Sequence, residues 1–335
     1  MNFKFHSDHV FNFLSLLFVG VWIVIFILNP PYSTMNKATP PNSQKEQRKN
    51  SIHQNKIAKN RDNDIIILKT RVINSSGTFY VKRPVSLSQS VAYVDMWRSH
   101  WCTYYNDREF FFTPRINELL QKLRRFMVPI VHISLAVDAF HPNSKQRLAG
   151  LKAIKNGTND ILESFNARAA KYHKDYIPGF RDECVYDDQE RYGKERDNRF
   201  TKAIAIAEND YFVSNFKESA ESFVGLGKKT VFIFGQHTNM CLMAVFLYCQ
   251  QVGLDLILVR DLVDTAWMFK YQKNHSPTHT SGNFAVNNYF DKTFGCSVIS
   301  YDLIHSLNLL SYKHHYNFQP KYTMYKNSAF MFSNL

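Results

Sequence analysis

The chain lacks the marks of several common protein classes. Its five cysteines (Cys102, Cys184, Cys241, Cys249 and Cys296) are odd in number and never fall in a C-x-x-C spacing. That argues against both a disulfide framework and a zinc site. No internal repeat is visible. No basic stretch is interleaved with aromatics or glycines, and no nucleic-acid-binding motif stands out, although the formal net charge is +13. Nucleic acid is therefore not an expected partner. Much of the excess charge is local. Residues 34–62 hold seven Lys/Arg against two acids, among Asn, Gln, Ser and Pro, which is the composition of a solvated, disordered stem.

What is present begins with Val10–Leu28, nineteen residues without a charge. At about 1.5 Å per residue this run spans a hydrocarbon core. It is longer than a signal-peptide apolar region, and no A-x-A-like site follows it. The expectation is a single-pass membrane anchor over 1–33, a basic stem over 34–63, a domain over 64–311 and a tail over 312–335. The side of the membrane stays open. Lys37, Lys45, Arg48 and Lys49 after the span point to a cytosolic domain by the positive-inside rule. Asn74-Ser-Ser and Asn156-Gly-Thr are sequons that suit a lumenal one.

Residues 64–82 read as a hairpin around an Asn-Ser-Ser-Gly turn. Beyond it, six β-rich runs alternate with helical patterns: Ser90–Asp95, Pro129–Leu135, Lys202–Ala207, Thr230–Phe234, Leu254–Val259 and Cys296–Ser300. Helical spacing covers Pro114–Phe126, Glu218–Leu226, Asn239–Val252 and Phe284–Phe290. The fold class is therefore α/β, a parallel sheet of about six strands with helices on both faces, preceded by a transmembrane helix and the hairpin. A polar excursion over 141–199 interrupts the alternation, the kind of insert that covers a site or moves. Asp95, His132, Glu208, Cys241 and Arg260-Asp261 fall at or near strand ends, where such sheets place their chemistry.

The segment Thr230-Val-Phe-Ile-Phe-Gly-Gln-His-Thr-Asn-Met-Cys241 carries the most chemical information. It reads as strand, tight turn and helix, with Cys241 in the first helical turn. Helix N-termini favour an anion, so a thiolate there is stabilised and Cys241 is a candidate nucleophile. The alternative is a small apolar residue packed under a sheet. Cys249, two turns further on, reads as core. Arg260-Asp261 reads as an internal ion pair.

Four blocks in order resemble the isochorismatase-like cysteine hydrolase superfamily, the group that includes nicotinamidases. They are Val91-Ala-Tyr-Val-Asp95, Pro129-Ile-Val-His-Ile-Ser134, Gly235-Gln-His-Thr-Asn-Met-Cys241 and Val259-Arg-Asp-Leu-Val-Asp264. The run Asp95-Met-Trp-Arg-Ser-His-Trp-Cys102 is similar to that of a little-described branch. The resemblance spans about Ile65 to Ser300. It implies hydrolysis of a small amide or related carbonyl substrate through an acyl-enzyme on Cys241, with Asp95 taking the thiol proton. It also implies a cis peptide at Gln236–His237 and backbone oxyanion donors at His237 and Cys241. Trp97, His100, His132 and Gln236 are the expected substrate-binding residues.

One departure stands out. The family's lysine position, by spacing, falls on Glu208. His132, His237, Arg260 and His279 are the candidate substitutes, and a non-catalytic binding or scaffold protein on the same fold is the competing expectation. Asp138 and His141 lie one residue further apart than the metal-holding pair of nicotinamidases, so no metal or cofactor is expected. The expected partners are a small-molecule substrate, the membrane through one helix and, as an open option, a second copy of the chain.

Overall fold

A computed structural model describes residues 64–99, 103–155, 197–266 and 279–317. The anchor, the stem, His100, Cys102, most of the insert and the end of the tail lie outside the described residues. Among the described residues no helix is long and apolar enough to cross a membrane.

The hairpin forms as its sequence suggests, β1 (Ile65–Asn74) against β2 (Gly77–Ser86). It is not a separate appendage. β1 pairs antiparallel with β10 (Gly295–Val298) and so extends the main sheet. The sheet has eight strands in the order β2-β1-β10-β9-β8-β3-β5-β7. Six neighbouring strands, from β10 to the edge strand β7, are parallel: β3 (Ser90–Asp95), β5 (Ile130–Ile133), β7 (Tyr211–Val213), β8 (Thr230–Gln236), β9 (Asp255–Asp264) and β10. β3 and the Val231–Gln236 part of β8 are buried throughout. That explains why they read as continuous apolar runs rather than alternating ones. A second, two-stranded sheet pairs β4 (Trp97–Ser99) with β6 (Asp197–Phe200).

One strand differs from the sequence reading. Lys202–Ala207 has an alternating pattern, yet it is not in the sheet, and β7 begins only at Tyr211. Side chains satisfy its backbone instead of a ladder. Asn117 donates to the Ala203 carbonyl and accepts from the Ala205 N–H. Arg124 donates to the Ala205 carbonyl, and the Ala207 N–H donates to Asp210. Such local partners outcompete strand pairing for a short segment.

The helices are α1 (Thr103–Arg125), α2 (Val137–Phe140), α3 (Lys145–Ile154), α4 (Phe216–Gly225), α5 (Cys241–Gln251), α6 (His279–Thr293) and α7 (Ser300–Asn317). The described start of the 141–199 insert is thus helical, not irregular. Ser144 caps α3 by accepting from the Arg147 N–H. Arg147 then binds Asp138 and Glu218, which ties α3 to α2 and α4. α7 starts at Ser300, where a strand end was expected, and continues past Ser311. Its apolar stripe, Leu303, Ile304, Leu307 and Leu310, is buried in the core. Asp261 accepts from both the N–H and the hydroxyl of Ser300, which fixes the start of α7.

Candidate active site

Asp95 and Cys241 reach the same end of the sheet by different routes. Asp95 is the last residue of β3, in register with Gly235 of β8, and is fully buried. Gly235 has φ +114°, and a Cβ there would lie 2.2 Å from the Asp95 carbonyl oxygen. Only glycine allows β8 to pass this close. The chain then turns through a cis Gln236–His237 peptide, where the resemblance implied one. α5 begins four residues later at Cys241, which is 8% exposed.

The turn between strand and helix is held from two sides. The His237 carbonyl accepts from the N–H groups of Met240 and Leu242, which curls the chain into α5. Thr238 donates its N–H and its hydroxyl to the Asp264 carbonyl. Asn239 exchanges two hydrogen bonds with the backbone of Ala266. The polar residues of the His-Thr-Asn segment therefore zip the turn onto the end of β9. All four polar positions from Gln236 to Asn239 are buried, so the zip is formed away from solvent.

Tyr93, two residues before Asp95, reports the electrostatics. Burial is the main cause that pushes its hydroxyl well above the ordinary tyrosine range; the Asp95 carboxylate adds to this, and the Cys241 sulfur as a thiolate does so further. Asp95 is in register with Gly235, six residues before Cys241 in the chain. Trp97 is buried, and its indole N–H donates to Asp95 Oδ1 at 2.7 Å. This hydrogen bond holds the Asp95 carboxylate in place. The His237 ring meets Trp97 edge-on, with centroids 6.4 Å apart. Asp95, Trp97 and His237 thus form one buried neighbourhood, and Cys241 opens the helix four residues after His237.

Beside it lies an acid whose part in the site the sequence did not reveal. Asp264, at the end of β9, accepts from Arg108 Nε at 3.0 Å and lies 2.6 Å from His279 Nε2. Burial alone would raise its carboxyl. The His279 hydrogen bond and the charges of Arg108, His279 and His237 outweigh that and hold it well below the usual carboxylate range. Its place as the last residue of the block Val259-Arg-Asp-Leu-Val-Asp264 was the available signal. Glu109 on α1 is the other unforeseen acid. It is buried, and burial pushes its carboxyl up to about 7 against a lowering hydrogen bond to Thr201.

The remaining candidates go elsewhere. His132 is in register with Val94, one residue short of Asp95, so its side chain projects to the other face of the sheet. There it bonds Asp210 at 2.9 Å, with Arg124 on the same carboxylate. Burial lowers the His132 pKa, opposed by Asp210, which favours the neutral ring. Glu208 is 67% exposed at its side chain and pairs with Lys145. It does not join the buried acids, because the segment before it is not a strand. Arg260 and Asp261 do not pair. Arg260 Nη1 lies 3.4 Å from the Ser297 hydroxyl, and Asp261 serves α7. Asp138 accepts from Arg147, while the His141 ring packs on Phe200 and Phe212. His100 lies outside the described residues. Among the described residues no lysine is buried, and no group of three His, Cys, Asp or Glu side chains has metal-holding geometry.

No protein-family model matches the chain, and no curated protein matches it. Solved structures do. A cysteine hydrolase from Pseudomonas syringae pv. phaseolicola is 12% identical, with a TM-score of 0.44, over 69% of this chain and 97% of its own. An isochorismatase from Pseudomonas putida is 12% identical at a TM-score of 0.40, over 65% and 92%. N-carbamoylsarcosine amidase from Thermoplasma acidophilum is 13% identical at 0.36, over 63% and 96%. Identities and scores of this size carry nothing about chemistry.

Proposed function

We propose that the protein is a cysteine hydrolase of a small amide or related carbonyl substrate, anchored to a membrane through Val10–Leu28. The single observation that supports the catalytic part is the register of Asp95 at the end of β3 with Gly235 of β8, which leads through a short turn into the helix that Cys241 opens. In this reading Asp95 takes the Cys241 thiol proton and the thiolate attacks the carbonyl carbon. The backbone N–H groups of His237 and Cys241 hold the oxyanion. The carbon–nitrogen bond then breaks, the amine leaves with the proton from Asp95, and water resolves the thioester to the acid.

The cationic role that the resemblance assigns to a lysine falls to His237. Its ring packs edge-on against the tryptophan that holds Asp95, with centroids 6.4 Å apart. A second reading, a non-catalytic binder on the same fold, is favoured by the lack of a buried lysine among the described residues.

Detergent-solubilised full-length chain, screened against small amides, separates the two. Turnover by the native chain that vanishes in Cys241→Ser supports the hydrolase. Turnover that survives Cys241→Ser rejects the nucleophile. No turnover of any amide, with binding unchanged by Cys241→Ser, selects the binder. Glycosylation mapping at Asn74 and Asn156 in cells reports which side of the membrane the domain occupies.

A further inference from the structure

The eight-stranded sheet ends in two unlike edges. At one, β7 is only Tyr211–Val213, and α3 closes it. A Cβ on Gly150 would lie 2.0 Å from the Phe212 carbonyl oxygen, and Arg147 Nη1 donates to that same oxygen at 3.4 Å. At the other edge, β2 runs for ten residues, and Gly77–Lys82 is exposed throughout. Phe79, Tyr80 and Val81 are 43%, 55% and 43% exposed. Proteins normally shorten, charge or cover a sheet edge, because its free backbone groups template another strand. β7 is shortened and covered; the first part of β2 is neither.

The ladder decides which groups of β2 are free. The two-residue Ser75-Ser76 turn closes on Asn74 and Gly77. At the far end the Leu87 N–H donates to the Asp64 carbonyl at 3.0 Å. Hydrogen-bonded pairs alternate with open ones, so Gly77, Phe79, Val81 and Arg83 direct their N–H and C=O at β1. Thr78, Tyr80 and Lys82 direct theirs outward. Pro84, which has no N–H to offer, falls at the next outward position and ends the free run.

This run is complementary to itself. Set antiparallel to a second copy about a two-fold axis at Tyr80, Thr78 meets Lys82, Tyr80 meets Tyr80 and Lys82 meets Thr78. Each of these pairs exchanges two hydrogen bonds. No lysine meets a lysine. Phe79 falls opposite Val81 in the closer, open pairs, an aromatic against a β-branched side chain on both sides of the axis. A shift in either direction brings in Pro84 or the turn. We propose that β2 is a dimerisation strand, at which two copies of the chain pair and continue one sheet across the two-fold axis. Four strands separate β2 from β3, which carries Asp95, so the proposal is independent of the hydrolase reading.

The test is the mass of the full-length chain in detergent, measured by sedimentation over a concentration series. The expected result is a reversible monomer–dimer equilibrium. Tyr80→Pro removes the central outward N–H, which the β1 ladder does not use. It should leave a folded monomer, with a Tm close to that of the native chain at concentrations where the native chain is also monomeric. Two charge variants probe the register without touching the backbone. Thr78→Glu sets an acid opposite Lys82 on both sides of the axis and should tighten the dimer about fivefold. Thr78→Lys sets like charges there and should loosen it about as much. A dimer that ignores Tyr80→Pro, charge variants that act alike or not at all, or a chain that is monomeric at every concentration overturns the proposal. A chain that dimerises only once residues 318–335 are removed would give the edge to its own tail and overturn it too.

Discussion

Cys241 and Cys249 lie on one helix, about two turns apart, in opposite surroundings. Cys249 is sealed among apolar side chains, and burial alone pushes its thiol far above the ordinary range. Cys241 opens the helix at the end of a turn whose polar groups are bonded to β9, six residues after Gly235, the register partner of Asp95. Both are buried, so burial does not separate a structural sulfur from a reactive one. The difference lies in where the helix starts and which charges are delivered to that point.

The largest effect should come from the sulfurs themselves. Cys241→Ala is expected to lower amide turnover by at least about 10³-fold, while Cys249→Ala leaves it within about twofold. Steady-state rates on matched preparations check this. Equal losses at the two positions would erase the contrast. The next effect concerns the acid. Asp95→Asn should cost about 10²–10⁴-fold in kcat, the usual range for a lost general base. Trp97→Phe keeps the ring but removes the N–H that fixes Asp95, and about a tenfold loss is expected. A Trp97→Phe loss as large as that of Asp95→Asn would mean that the indole does more than orient the acid.

The third prediction is a pH effect at Glu109. Its folded-state pKa, about 7, lies above the usual 4.5. The folded form therefore holds a proton that the unfolded form releases. The stability this provides is complete below about pH 4.5 and is lost as the pH rises through 7. The loss is on the order of 3 kcal/mol at most. Glu109→Gln should flatten that part of the stability curve, as measured by denaturant unfolding between pH 4.5 and 8. The smallest effect is that of Cys249→Ala on stability, about 1 kcal/mol from lost core packing. Cys241→Ala should cost less than that, because Cys241 sits at the helix start rather than within it.

Much of this contrast was legible in the sequence. The apolar run ending at Gly235 and the apolar helix after Cys241 define a strand–turn–helix, and Asp95 closes another such run. Burial of whole strands makes those runs continuous and easy to find. Lys202–Ala207 alternates like a strand, yet Asn117, Arg124 and Asp210 hold its backbone outside any sheet. With the strand displaced to Tyr211, the lysine position counted onto Glu208 landed on the surface. Trp97 and Asp264 could not have been assigned from pattern alone. Their roles depend on which polar atom meets which across distant elements, as with Arg108 and Asp264, 156 residues apart in the chain. The stripe of α7 at Leu303, Ile304, Leu307 and Leu310 has helical spacing, but the Tyr- and Asn-rich residues that follow it mask the signal in the sequence.

The most direct measurement is site-resolved alkylation of the full-length chain by iodoacetamide near pH 7, read by peptide mass spectrometry. Cys241 should be modified faster than free cysteine, with Cys249 and Cys296 protected until denaturant is added. A Cys241 that reacts no sooner than Cys249 would contradict the account, since a sulfur beyond the reach of a small reagent cannot attack a substrate.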